Sequence, residues 1–257
     1  SGMVRECHGD LHARNIVRWR QQWLPFDCLE FDPDLRWIDV ISDVAFLYMD
    51  LVSRHRADLA CEFLSRYLEG TGDYAGLRLL PLYAAYFALV RAKVDALDAA
   101  NATAAQLEAL KARLAQRLAA AMRFMAERPA ALVLMHGVSG SGKSWFSERL
   151  VPAIGALRIR SDLERKRLSG AGDYAAAAVH LNYQRLAECA EAALDGGCSV
   201  IIDATFLERT HRDLFRALAR RRHCGFLIVS CSADAATLGE RVDRRAGSGL
   251  DPSEATR

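Results

Sequence analysis

Apolar positions follow two different rhythms along this chain. From Ala45 to about Ala100 they return near every 3.6 residues, at Leu47, Leu51, Leu59, Phe63, Leu64, Tyr67 and Leu68, which predicts amphipathic helices. Gly70-Thr71-Gly72-Asp73 interrupts them as a turn. Leu79 to Leu97, with Leu82, Tyr83, Tyr86, Phe87, Leu89 and Val90, is apolar almost all round and predicts a buried helix. Asn101-Ala102-Thr103 offers a cap for one long helix from Ala104 to Arg128, which Pro129 stops. Its predicted seam is Leu107, Leu110, Leu114, Leu118, Met122 and Met125, with Lys111, Arg113, Arg117 and Arg123 facing away.

From Ala131 the rhythm changes. Short β-rich runs at Leu132–His136, Leu157–Arg160, Val200–Asp203 and Phe226–Ser230 alternate with helical stretches at Lys143–Leu150, Leu163–Leu168, Ala175–Leu194, Arg212–Arg222 and Ala235–Arg245. Such alternation predicts a parallel sheet covered on both faces. The expected fold class is therefore α/β with a mostly α-helical N-terminal part. The expected division is a first domain over 3–102, a connecting helix over 103–129 and a second domain over 130–257.

Composition narrows the class only a little. A chain of 257 residues is long enough for two domains. Its net charge of +2 argues for neither nucleic acid nor an acidic membrane surface. Seven scattered cysteines, odd in number and without C-x-x-C spacing, suit free thiols in a reducing cytoplasm better than disulfides or zinc. No apolar run approaches the ~20 residues that span a bilayer. Ser1-Gly2 before Met3 reads as a cloning remnant, and chemistry begins within a few residues of it, which predicts an excised piece of a longer protein.

The most specific signal is Gly137-Val138-Ser139-Gly140-Ser141-Gly142-Lys143-Ser144, which fills every fixed position of G-x-x-x-x-G-K-[ST] between an expected strand and an expected helix. Glycines in such a loop let successive N–H groups curl round a phosphate, and the helix that follows points its positive end at the same anion. Lys143 is expected to reach the β and γ phosphates of ATP, and the Ser144 hydroxyl to hold Mg2+. Gly137, Ser139, Gly140, Ser141 and Gly142, with Trp145 next along the chain, complete the expected nucleotide-binding set.

Ligands of open α/β sheets sit beyond the carboxyl ends of the strands. Asp162 stands there, where it can orient or deprotonate an acceptor hydroxyl or cap the next helix, a role Ser161 can also fill. Arg165 and Lys166 follow one turn later and could hold an anionic acceptor. Asp203 ends the most apolar strand, either as a water-mediated partner of Mg2+ or as a buried acid satisfied by backbone amides. Arg241 and Arg245, four residues apart, share a helical face that is either a cationic clamp or a solvated surface.

The first half carries His8-Gly9-Asp10-Leu11-His12-Ala13-Arg14-Asn15, with Asp10 and Asn15 at the spacing of a kinase catalytic base and a metal-binding Asn. Asp39 and Asp43, four apart, are either helix caps or site residues. These residues resemble the C-terminal lobe of aminoglycoside phosphotransferase-like kinases. The resemblance implies Asp10 as base, Asn15 as metal ligand and Glu30 at the second metal carboxylate, an Asp in that family, with Asp27 and Asp32 as alternatives. It also implies a missing N-terminal lobe, without which this half should not transfer phosphate alone.

The second half, through GVSGSGKS, IRSDLERKRL, VIIDATF and ERVDRR, resembles P-loop small-molecule and polynucleotide 5′-hydroxyl kinases, including the zeta-toxin type. That resemblance implies Asp162 as the acceptor-activating acid, Lys143 and Ser144 as nucleotide and metal residues, Arg241 or Arg245 as a clamp, and a further helix and strand beyond DPSEAT. The order of the halves resembles bacterial fusions of the two kinase types. The expected activity is ATP- and Mg2+-dependent phosphoryl transfer to a hydroxyl. A small acceptor is favoured over a nucleic-acid 5′ end because no basic stripe with interleaved aromatics is present. The alternatives are an ATP-sensing module that controls the first half without transfer, and an antibiotic phosphotransferase.

Overall fold

A computed structural model describes residues 2–100, 102–127, 129–169, 176–238 and 241. Arg245, and most of the helix expected at 235–245, lie outside the described residues. The chain forms two compact units, one of residues 1–64 with 76–127, the other of residues 65–75 with 128–257.

The first unit opens with four short strands, β1 (Val4–Glu6), β2 (Ile16–Trp19), β3 (Gln22–Pro25) and β4 (Trp37–Asp39). β1 pairs antiparallel with β4, and β2 with β3. The β2–β3 connection is only two residues, Arg20 at φ +44° and Gln21 at φ +66°, so both take the left-handed conformation of a tight hairpin. Helices α1 (Val40–Ser53), α2 (Ala57–Thr71), α3 (Leu80–Ala99) and α4 (Ala104–Met125) follow. Phe46 of α1 stacks on Phe87 of α3 with ring centroids 4.2 Å apart, inside a core that includes Ile41, Ala45, Met49, Leu80, Ala84 and Ala88.

Two helical expectations need correction. α3 is not buried all round: Leu82, Tyr86, Leu89 and Leu97 are about half exposed or more, while Leu80, Ala84, Ala85, Phe87, Ala88 and Ala92 make its buried apolar face. The alanines share that face with Leu80 and Phe87, and their small size lets the helix pack closely while several bulkier side chains stay outside. On α4 the buried positions are Leu110, Ala120, Ala121 and Phe124; Leu118, Met122 and Met125 of the expected seam are exposed. Arg113 and Arg117, expected to face away, turn toward the buried Asp95 of α3 instead. Leaving Asp95 buried and unpaired would cost several kcal/mol, roughly, so the ion pair outranks a few methionine contacts in setting the helix rotation.

The second unit contains β5 (Ala131–His136), α5 (Lys143–Ile154), β6 (Ala156–Arg160), α6 (Ser161–Ser169), α7 (Ala176–Asp195), β7 (Ser199–Asp203), α8 (Arg209–Arg221) and β8 (Gly225–Ser230). Its four strands are all parallel, in the order β6-β7-β5-β8. The side chains of Leu132, Leu134, Met135, Ile159, Val200, Ile201 and Ile202 are sealed from solvent, as expected of strands covered on both faces. The carboxyl ends of β6, β7 and β5 lie side by side, with Arg160 opposite Asp203 and Met135 opposite Asp203 in the register. That register brings three separate loops to one edge of the sheet.

Residues 65–75, placed by sequence within the first domain, pack as part of this second unit. The reason is charge. Arg158, inside β6 and almost wholly buried, pairs with Glu69 at 3.0 Å, and its backbone N–H donates to Ser65 Oγ at 3.3 Å. Arg167 of α6 donates to the carbonyls of Leu68 (3.4 Å) and Glu69, and Arg185 of α7 to that of Gly72 at 3.4 Å. Among the described residues no helix is long and apolar enough to cross a membrane, and all seven cysteines are free thiols.

Removing one partner of the Arg158–Glu69 pair leaves a buried charge. Glu69→Ala is therefore expected to lower unfolding free energy by about 3–5 kcal/mol, while Glu69→Leu combined with Arg158→Met recovers most of it. Urea unfolding of the three proteins checks this.

Candidate active site

The loop between β5 and α5 is a tight cradle. Gly137 sits at φ +138°, Gly140 at φ +81° and Gly142 at φ +95°. A Cβ on Gly137 would fall 2.2 Å from the Cys231 carbonyl and 2.8 Å from Ser141 Oγ, so no larger residue fits. The loop is tied down by Gly137 N–H to the Thr205 carbonyl (3.1 Å) and Ser141 N–H to the Val138 carbonyl (3.3 Å). Lys143 is buried, and its Nζ donates to the Val138 carbonyl at 2.8 Å, curling over its own loop. Ser141 Oγ is buried with no hydrogen-bond partner among the described residues. Glycine-only backbone, an orphaned hydroxyl and a cation over the loop fit the phosphates of a nucleotide.

Ser144, in the first turn of α5, is linked to the end of β7 through Ser147. Ser147 Oγ donates to Asp203 Oδ2 at 3.2 Å and contacts the Ser144 carbonyl at 3.1 Å, which links the end of β7 to the first turn of α5. Asp203 is nearly buried. Among the described residues no group of three or more His, Cys, Asp or Glu could hold a metal by itself. Mg2+ is ordinarily held by one or two protein oxygens plus phosphates and water, so Ser144 and Asp203 fit it in the company of a nucleotide.

A cavity of about 270 Å³ joins these residues to Asp162. Ser139, Lys143, Ser144 and Asp203 line one end; Ser161, Asp162, Arg165, Asn182, Glu208 and His211 are among those lining the rest. Arg165 pairs with Asp162 at 3.4 Å and is almost wholly buried, whereas Lys166, grouped with it by sequence, is exposed. Behind them Glu164, fully buried, is held by Arg167 and by Arg185 Nε at 3.2 Å, which fixes α6 on the side away from the cavity. Arg241 reaches the cradle, its guanidinium donating to the Gly140 carbonyl at 3.2 Å. Trp145 does not line the cavity; it is exposed, with the Arg149 guanidinium 3.8 Å over its ring.

The far wall was not foreseen. Phe206 adopts φ +49°, rare for a bulky residue, and is held there by its N–H to Tyr183 Oη (3.1 Å) and by Arg212 on its carbonyl (2.5 Å). This bend presents Thr205, Leu207 and Glu208 to the cavity. Tyr183 stacks on His211 at 3.7 Å with ring planes 13° apart. Burial lowers the His211 pKa, outweighing Glu208, so the ring is neutral at pH 7. The carboxyl-end rule pointed to the segment after Asp203 in general; Asn182, polar amid Val179, Tyr183 and Leu186, was the one readable clue on α7.

In the first unit, Asn15 Nδ2 donates to Asp10 Oδ2 at 3.0 Å, so these two residues meet. Asp43 accepts the N–H groups of His8 (3.1 Å) and Gly9 (3.0 Å), and Asp50, which sequence reading passed over, accepts that of Ala13 at 3.0 Å. Burial raises the Asp43 pKa against the lowering effect of those two bonds. Asp39 caps α1 through Ile41 N–H at 3.2 Å, and Glu30 is exposed. Both Asp39 and Asp43 thus serve backbone donors.

A parallel sheet, a glycine cradle and a helix opening on Lys143 define a P-loop fold of the nucleotide-binding type. Residues 132–257 match the AAA_33 family, described as an AAA domain. Uncharacterized proteins of Mycobacterium tuberculosis and Mycobacterium bovis are 33% identical over 262 positions, covering 97% of this chain and 52% of their own length. The chain thus spans about half the length of these relatives. Among solved structures, a kinase candidate from Chloroflexus aurantiacus is 20% identical with a TM-score of 0.43, covering 48% of this chain and 69% of its own. The APS kinase of Mycobacterium tuberculosis, in complex with AMPPNP and APS, is 28% identical with a TM-score of 0.39, covering 49% and 72%.

Gly137→Ala is expected to weaken binding of Mg·AMPPNP by at least about tenfold, because cradle strain of this kind costs ~1–3 kcal/mol; titration calorimetry measures it. His211 has a folded pKa below its unfolded value, so its contribution is present above about pH 6.5 and lost as pH falls through the folded pKa. His211→Phe keeps the ring stack and should lose less thermal stability than the parent between pH 7.5 and pH 5, read by melting at both values.

Proposed function

We propose that the second unit is an ATP- and Mg2+-dependent phosphotransferase acting on a hydroxyl of a small molecule. The observation that carries this is one cavity lined by the cradle residues Lys143 and Ser144, the metal-side Asp203 and the acid Asp162. A module that only sensed ATP would need the cradle alone; here the cavity continues past the phosphates to a second wall of polar side chains.

ATP with Mg2+ supplies an activated γ-phosphoryl group whose charge is partly neutralised. Cradle amides and Lys143 bind the phosphates, and Ser144 and Asp203 orient the metal side. Asp162, held by Arg165, takes up the acceptor hydroxyl. As the acceptor oxygen bonds to the γ-phosphorus, the bond to the β–γ bridging oxygen breaks, the hydroxyl proton passes to Asp162, and ADP leaves. Arg241, already on the Gly140 carbonyl, would supply a cation to the charge that develops in the transition state; its expected partner Arg245 lies outside the described residues.

In the first unit the Asp10–Asn15 contact and the anchoring of the loop by Asp43 and Asp50 support a kinase-like catalytic loop. In that reading Asp10 is the base, Asn15 and Glu30 hold metal, and the partner is the N-terminal lobe of such kinases. The compartment that suits free thiols and ATP is the cytoplasm.

Asp162→Asn is expected to cut phosphoryl transfer by about 10²–10⁴-fold while Mg·AMPPNP still binds. Lys143→Ala should lose both. Full-length protein is incubated with ATP and pooled metabolites and scanned by mass spectrometry for a phosphorylated product. Unchanged turnover in the Asp162→Asn protein would remove the acid from the mechanism.

A further inference from the structure

Asn182 and Ser161 stand in the cavity wall beside Asp162, and the mechanism above uses neither. Asn182 is 4% exposed, yet only one end of its amide is satisfied: Nδ2 donates to Ser161 Oγ at 2.9 Å, and Oδ1 has no partner among the described residues. A buried amide left half-paired is costly and needs an account. Ser161 Oγ, in turn, accepts from Asn182, so its own proton points elsewhere and is available to a ligand in the cavity that Ser161 lines. The two side chains therefore leave one vacant acceptor and one vacant donor, joined to each other and adjacent in sequence to the acid that activates the acceptor.

We propose that Ser161 and Asn182 read a second hydroxyl of the acceptor, next to the one phosphorylated, so that the substrate class is a neutral vicinal diol or polyol. This rests on the phosphotransferase reading and adds to it. A hydroxyl is the group that matches both vacancies, donating to Asn182 Oδ1 and accepting from Ser161 Oγ. An ammonium can only donate, and a carboxylate or phosphate can only accept. Asn182 Oδ1 belongs to a side chain that lines the cavity, so a seated hydroxyl meets it while Nδ2 stays on Ser161. Local charge agrees: beyond the cradle the cavity is lined by Asp162 and Glu208 against Arg165, with His211 neutral, which disfavours an anionic acceptor.

The experiment measures kcat/KM for transfer from radiolabelled ATP with Mg2+ by the whole chain. Acceptors are glycerol, D-ribose and D-glucose; their partners are 1,3-propanediol, 2-deoxy-D-ribose and 2-deoxy-D-glucose, with D-glucosamine and D-glycerate as charged arms. The parent protein is expected to favour at least one diol over its deoxy partner by about tenfold or more, in the range of a lost hydrogen bond. Asn182→Leu should bring that ratio to within about twofold, and Asn182→Asp, which keeps an acceptor oxygen, should restore part of it. A parent that phosphorylates none of the polyols while still hydrolysing ATP, or that prefers glucosamine, glycerate or the deoxy compounds, overturns the proposal and spares the kinase reading. A parent that does not bind Mg·AMPPNP takes both down. The parent ratio needs no variant, so a poorly folded Asn182→Leu protein leaves the test intact.

Discussion

The second unit depends on a single steric fact: the backbone at residue 137 passes so close to the Cys231 carbonyl that a side chain has no room. That closeness packs the loop after β5 against the chain that leaves β8. Three glycines with positive φ then complete the curl, and α5 begins where the curl ends. The helix start, the buried lysine and the orphaned Ser141 hydroxyl lie in the same loop within seven residues of that approach. A glycine loop at a helix start, with a buried lysine beside it, fits an anion such as a phosphate.

Sheet order converts the cradle into a site. With β7 between β6 and β5, Asp203 lies between the loop that carries Asp162 and the loop that grips phosphate. Each of these residues comes from a different strand end, and their meeting is a consequence of parallel register rather than of local sequence. α6 is then fixed from behind by the buried Glu164 with its two arginines, so the face carrying Asp162 and Arg165 is presented without relying on solvent-exposed contacts. Ionic pairs that are buried and hydrogen-bonded hold geometry well even where their net stabilisation is small.

Charge also explains the features that periodicity misjudged. The rotation of α4 follows Asp95 and its arginines, and the membership of residues 65–75 follows Arg158 and Glu69. On α4 a hydrophobic count gave the wrong face, because the penalty for stranding one buried charge exceeds the gain from several exposed methyl groups. On α3 four alanines share the buried face with Leu80 and Phe87; their small size permits close packing while contributing little to an apolar tally.

By itself, the sequence was enough to determine the alternation of strands and helices after residue 130, the phosphate loop with Lys143 and Ser144, and the two acids at strand ends, since each is written in short-range spacing and residue type. It also marked Asp10 and Asn15, which do meet. Only the tertiary structure decided which cation accompanies Asp162, Arg165 rather than Lys166, and that Trp145 turns away from the cavity. It alone disclosed the far wall, where a left-handed Phe206 and the Tyr183–His211 stack bring Glu208 and Asn182 toward the acid. Those placements arise from side chains far apart along the chain competing for the same buried space, and no window of neighbouring residues contains that competition.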